Sequence, residues 1–411
     1  MVYYKKDSVM IREFIEKNRS LISTPKIIFS HKSRTIINKI QDLIKTAFKE
    51  SSVQFFKLLS PGAFGVDFEK SPDYSYICAD VRHAFEKQNK YKKTIEMRIA
   101  NRTYKIRFVL PVPLTPSDER VYSNAIDIYA RRMYIWLYVA NHFMQNNTIA
   151  TDTDIFLYLT DEKKIIPELC CDPIDRINVN SGFTGRPDQK MEINIFRNEE
   201  WFKVFIHETF HSMGFDFSNF QSENDIVGKE ILKKFHINAN VLLYETYSEL
   251  WAEIINVIIT IYIETHGKQM SFISLVEDML ETEMFFSLFQ CAKIFDHFKI
   301  NYEDLFAPDN EKASRYKEKT SVFCYYVLKT ILLFNCNMFV EWVLDNNNNS
   351  IAFKKPDKNI RKFANELIFT KYNDPTLIEC FSKMEYAFFR KKNKKKDFVF
   401  KTLRMTANEI V

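Results

Sequence analysis

Glycine is scarce in this chain, with 7 residues in 411, while phenylalanine reaches 38. Lys, Asn, Ile and Phe dominate, a bias we attribute to an AT-rich genome rather than to a function. Cysteines at metal-ligand spacing are missing too. The seven present are an odd number, and the adjacent Cys170 and Cys171 are poorly placed to chelate one ion together. The opening residues, Met1 to Asp7, lack the apolar core of a signal peptide. Together these absences point to free thiols in a reducing, cytosolic setting. A membrane span is not expected either. The apolar run at 254–263 is too short. The run at 322–344 carries Lys329, Asn335, Asn337 and Glu341 and reads as a core helix. No repeat of about 20 to 50 residues is visible. The net charge of +5 is mild and does not by itself argue for nucleic acid.

What remains is an ordinary globular balance, 46% hydrophobic and 27% charged, on a chain long enough for two or three structural units. Its most informative stretch is His207-Glu208-Thr209-Phe210-His211, which reads H-E-x-x-H. Phe202, Phe205, Ile206, Phe210 and Met213 recur at helical spacing around it. Asn198 is the expected N-cap, Glu199 and Glu200 fall in the first turn, and Gly214 is the expected stop. On that helix His207 and His211 lie one turn apart on one face, so both can reach one tetrahedral Zn²⁺. Glu208 then lies beside the metal, where it can take a proton from water.

Zinc that keeps one position open for water needs a third protein ligand. The metzincin extension, H-E-x-x-H-x-x-G-x-x-H, fails here. Gly214 is in place, but Phe217 stands at the last ligand position and Asp216 is one residue out of register. The alternative resembles thermolysin and its relatives, whose third ligand is a glutamate from a second helix with a pattern such as E-x-x-x-D or E-x-x-A-E. Glu249 and Glu253 fit it, with Glu249 as the expected ligand and Glu245 as the alternative. Glu253 is then the acid that steadies a ligand imidazole from behind. Glu245, Glu249 and Glu253 repeat at i, i+4 and lead into an isoleucine-rich helix, so they need cationic partners. Tyr244, His236 and His297 are candidates for stabilising an oxyanion.

In chain order, residues 1–90 are expected to be a helical N-terminal region, with Ser60-Pro61-Gly62 as a breaker. Residues 91–217 form the expected sheet-bearing lobe. Its hairpin pairs 94–99 with 103–109 across Asn101-Arg102, and a long helix starts near Ser117-Asp118-Glu119. Further strands are expected at 155–159, 177–180 and 191–196. Either 192–196 or 178–183 forms the rim of a cleft, with Arg186 in the loop between them. Residues 218–390 form a helical lobe, with helices expected at 241–266, 270–298, 313–344, 360–369 and 376–389. Residues 391–411 are a basic tail, adjoining a cluster from Arg390 to Lys396 that offers a weak case for nucleic acid.

These motifs resemble the zincin metallopeptidases of gluzincin type, the thermolysin-like group. Residues 130–138, 177–184 and 196–214 also look like an uncharacterised family of giant nucleocytoplasmic DNA viruses, a similarity running from about Met97 to Ile259. The resemblance implies an α+β, zincin-like fold: a small mixed sheet with the active-site helix in an upper lobe, and a mainly helical lower lobe. It implies one Zn²⁺ per chain and hydrolysis of a peptide or protein substrate with Glu208 as general base. It also implies a viral protein working in the host cytoplasm or packaged in the virion. Two other functions stay open: a non-catalytic virion or scaffold protein on the same fold, and a nucleic-acid-associated protein.

Overall fold

The computed structural model describes residues 4–53, 55–112, 118–144, 152–185, 191–267, 271–308, 311–389 and 397–411. Its helices are α1 (Lys6–Asn18), α2 (His31–Glu50), α3 (Ala79–Lys87), α4 (Glu119–Phe143), α5 (Arg176–Val179), α6 (Trp201–Ser212) and α7 (Gln221–Leu232). There follow α8 (Leu243–Thr265), α9 (Phe272–Phe298), α10 (Lys329–Phe334), α11 (Cys336–Asn346), α12 (Pro356–Phe363), α13 (Pro375–Phe388) and α14 (Phe398–Lys401). The strands are β1 (Phe56–Gly65), β2 (Lys90–Ile99), β3 (Arg102–Pro111), β4 (Asp152–Thr160), β5 (Gly182–Thr184) and β6 (Met191–Arg197). The chain divides into two compact units. One comprises residues 38–163 and 180–215, the other residues 1–37, 164–179 and 216–411. The first 90 residues are thus shared between the two rather than forming a region of their own.

The first unit is built on a six-stranded sheet in the order β1-β2-β3-β4-β6-β5. β2 and β3 form the expected hairpin, but the turn is Ala100-Asn101, one residue earlier than expected, with Ala100 left-handed and Ile99 paired to Arg102. β3, β4 and β6 run parallel, and β5 is antiparallel to β6. The β3-to-β4 crossover contains α4, whose N-cap Asp118 accepts from the Arg120 N–H. β4 and β6 lie inside the sheet and are buried along nearly their whole length, which fits the apolar run 155–159 of β4, while β6 also buries Glu192 and Asn194. Phe156 and Tyr158 pack with Tyr74, Ile77, Val81, Phe85, Val109 and Phe196 in one cluster. The pleat turns their neighbours Ile155 and Leu157 to the opposite face. β1 was not expected, because Pro61 and Gly62 read as a breaker. It is an edge strand whose pairing with β2 shifts register between Leu58 and Ala63, so the proline costs no ladder hydrogen bond inside the sheet.

Residues 177–180 are not a strand. Asn178 accepts from the Asp175 N–H through Oδ1 and donates to the Ile165 carbonyl through Nδ2. That local bonding winds α5 in place of an extended segment. The edge next to β6 is therefore the three-residue β5, while 192–196 lies within the sheet. Arg186 lies outside the described residues.

The second unit is helical. α8 is buried from Thr246 to Tyr262, and α9 is buried over most of its length. The expected helix at 313–344 is broken instead. After a short 3₁₀ turn, a π-helical segment leads into α10, and α10 meets α11 at a 92° bend around Asn335. Among the described residues no single helix is long and apolar enough to cross a membrane; this bent pair meets the criterion only when its two parts are joined. Residues 397–411 are no solvated tail. Val399, Leu403, Ala407 and Ile410 are buried, and the Glu283 carboxylate accepts from the N–H groups of Ala407 and Asn408 at 2.8 and 3.1 Å. The basic cluster 390–396 lies outside the described residues.

Candidate metal centre

α6 is bounded differently from the sequence expectation at its start and as expected at its end. Asn198 does not cap it. Its N–H donates to the Thr160 carbonyl at 2.9 Å and prolongs the sheet, so the helix begins two residues later than expected, after Glu200 in a left-handed conformation. At the other end Gly214, at φ +62, closes a Schellman motif. Its N–H reaches the His211 carbonyl at 3.1 Å, the Phe215 N–H reaches the Phe210 carbonyl at 2.8 Å, and the Phe210 and Phe215 rings meet at 5.4 Å. Trp136 of α4 stacks on Phe210 at 6.0 Å, and Tyr129 meets Trp201 at 4.7 Å. These aromatic contacts fix the rotation of α6 and hence the direction of its histidines.

The two ring nitrogens His207 Nε2 and His211 Nε2 are 3.0 Å apart, with the rings nearly perpendicular. Two nitrogens each roughly 2.05 Å from a tetrahedral zinc stand about 3.3 Å apart, so this separation suits a shared ion. Both histidines belong to the sheet-bearing unit, whereas Glu245, Glu249 and Glu253 belong to the helical unit. Two imidazoles and one carboxylate are a donor set that zinc accepts while keeping a position for water. His207 is buried, and His211 and Glu245 are half-buried.

Glu245 occupies the first turn of α8, where the helix dipole favours a carboxylate. Glu249 is buried one turn further on. Glu253 is a further turn along, roughly 12 Å from Glu245 at 1.5 Å per residue. Its Oε2 is 3.5 Å from Lys329 Nζ, which donates to Ser287 Oγ at 2.7 Å, so a cation inside the helical unit answers its charge.

Of the three oxyanion candidates, two have other occupations. His297 is buried in the last turn of α9, where its Nε2 is 2.9 Å from the Asp172 carbonyl, and burial pushes its pKa down. His236 is exposed, with Nδ1 3.1 Å from the Ala307 carbonyl. Tyr244 is half-buried beside Glu245, and its ring meets Phe217 edge-on at 6.3 Å. Burial, then the charges of Glu245 and Asp216, push its phenol pKa up.

Two residues at the site carried no recognisable sequence signal. Thr184, at the end of β5, donates from Oγ1 to Glu208 Oε2 at 2.7 Å and to the Glu208 carbonyl at 3.1 Å. This places a hydroxyl on the carboxylate of the H-E-x-x-H motif from 24 residues away. Gly182 lets β5 come this close. A Cβ there would stand 2.9 Å from both Ile195 Cδ1 and Val204 Cγ1. Two of the chain's seven glycines, Gly182 and Gly214, thus shape the surroundings of α6.

Compared with protein-family models, with curated proteins and with solved structures, the chain matches none.

Proposed function

We propose that the protein is a zinc-dependent metallopeptidase in which His207, His211 and Glu245 hold one Zn²⁺ and Glu208 is the general base. The observation that carries this reading is the facing pair of His207 Nε2 and His211 Nε2, 3.0 Å apart on one helix, with Glu208 next to His207 in the chain. The ion supplies a Lewis acid that polarises a carbonyl and makes water acidic near neutral pH. Glu208 takes the proton of the attacking water and later delivers it to the leaving amine. The Thr184 hydroxyl bonds Oε2 and holds the carboxylate in place. Tyr244 is the proposed donor to the oxyanion. With Glu245 as ligand, the E-x-x-x-E spacing moves one turn along α8, and Glu249 takes the supporting role first expected of Glu253. The proposed substrate is a peptide or protein whose extended segment adds to the β5 edge.

The test combines metal analysis of the purified chain with cleavage of a peptide library. Glu208→Gln is expected to retain zinc and to lose at least roughly a hundredfold in hydrolysis. Undiminished cleavage by that variant overturns the mechanism, and absence of zinc from the wild-type protein after loading overturns the site.

A further inference from the structure

Cys170 and Cys171 belong to the segment that meets the last turn of α9. Their sulfurs are 3.2 Å apart. Both thiols reach one acceptor, the His297 carbonyl oxygen, with Cys170 Sγ at 3.3 Å and Cys171 Sγ at 3.6 Å. The Cys171 N–H donates to the same oxygen at 3.2 Å, and the His297 ring is bonded to the Asp172 carbonyl. Cys171 is held left-handed, at φ +67. The backbone is thus pinned on both sides of the pair, and the sulfurs are held facing each other. Cys170 alone of the seven cysteines is exposed, and Cys171 is half-buried beside it.

A disulfide bond is about 2.05 Å long, so closure needs roughly 1.2 Å of sulfur travel, a side-chain adjustment. Consecutive Cα atoms lie about 3.8 Å apart, below the usual disulfide span of about 4.4 Å or more. A bond between neighbours is therefore strained and readily reduced, which is the character of regulatory disulfides rather than structural ones.

We propose that Cys170 and Cys171 form a reversible modification site, oxidised to a disulfide between adjacent residues by small disulfides of the glutathione class. The Cys170 thiolate attacks one sulfur of the oxidant and releases the first small thiol. The Cys171 thiolate then attacks the Cys170 sulfur of the mixed disulfide and releases the second. Two protein S–H bonds give way to one S–S bond, the oxidant is reduced to two thiols, and the protein loses two hydrogens. Closure also removes both thiol donors from the His297 carbonyl.

The test uses the full chain and oxidised glutathione. Unreacted thiols are trapped with N-ethylmaleimide, and the chain is cut with trypsin. Both cysteines fall in one peptide, Ile165 to Arg176, which contains no other. That peptide is expected to emerge unalkylated and two hydrogens lighter, and to regain two alkylatable thiols after dithiothreitol. Cys171→Ser is expected to stop at the intermediate and carry one glutathione on Cys170. A wild-type peptide that stays doubly alkylated, or one that keeps a stable glutathione adduct, overturns the proposal. Neither outcome bears on the zinc site.

Discussion

Two regions of this molecule bury charged side chains, and they treat them differently. In the helical unit the charges meet protein partners. Glu283 receives hydrogen bonds from Thr406, Ala407 and Asn408. Lys293, driven by burial toward its neutral form, donates to the Val399 and Thr402 carbonyls and to Gln290. Along α6, by contrast, two imidazoles turn the same atom, Nε2, toward each other. The first arrangement closes on itself and holds the fold together. The second brings two like donors face to face, and it is from this pair that the metal site is proposed.

The contrast is sharpened by breaking each side in turn. His207→Ala removes a donor, and the expected result is the largest: zinc per chain falls from about one to near zero after dialysis, read by elemental analysis. Loss of a mere outer partner typically costs about ten- to a hundredfold in affinity, so a ligand should exceed that. Secondary structure, read by circular dichroism, should stay in place. Glu283→Ala should do the reverse. It leaves two buried N–H groups and Asn408 without their acceptor, at a cost of roughly 3–5 kcal/mol in urea unfolding, while the folded fraction still binds zinc. Thr184→Val keeps the shape of the β5 end but removes its hydroxyl. We expect a fall of about tenfold in kcat with KM little changed, since the base loses its support and the substrate edge remains.

A pH-dependent effect concerns Glu318. Burial raises its pKa to about 8, although the Phe323 N–H and the Tyr316 hydroxyl both bond its carboxylate. The folded state therefore holds this proton more tightly than the unfolded chain, where the ordinary value is 4.5. Its contribution to stability is fully present below pH 4.5 and is lost as pH rises toward 8. Glu318→Gln should flatten that decline, and urea midpoints at pH 5 and pH 8 would show it. A midpoint difference between the two pH values as large in the variant as in the wild type would assign the decline to another group.

The α6 motif and its glycine stop were legible because both are local: a 3.6-residue period and one left-handed position. The hairpin and the buried β4 were legible for the same reason. Which acid would serve as a third ligand was not. Glu245, Glu249 and Glu253 share one face of α8, and spacing alone cannot say which turn stands near the imidazoles. The cap at Asn198 was misread because its N–H is spent on Thr160, a partner remote in sequence. β1 was hidden because a Pro-Gly pair marks a break inside a sheet but is tolerated at its edge. Residues 397–411 looked like a tail because the lysine run before them drew the eye from Val399, Leu403 and Ala407, which recur every four residues. Thr184 could be recognised only once β5 was laid against β6.

The way Glu283 grips residues 406–408 sets the timetable of synthesis. The helical unit cannot close until those residues have left the ribosome, about 200 positions after the last residue of the sheet-bearing unit. At about 5–20 residues per second, that delay is roughly ten to forty seconds. α8 emerges about 30 to 50 residues after the sheet-bearing unit, within roughly ten seconds, so all three proposed donors are made before the helical unit can close.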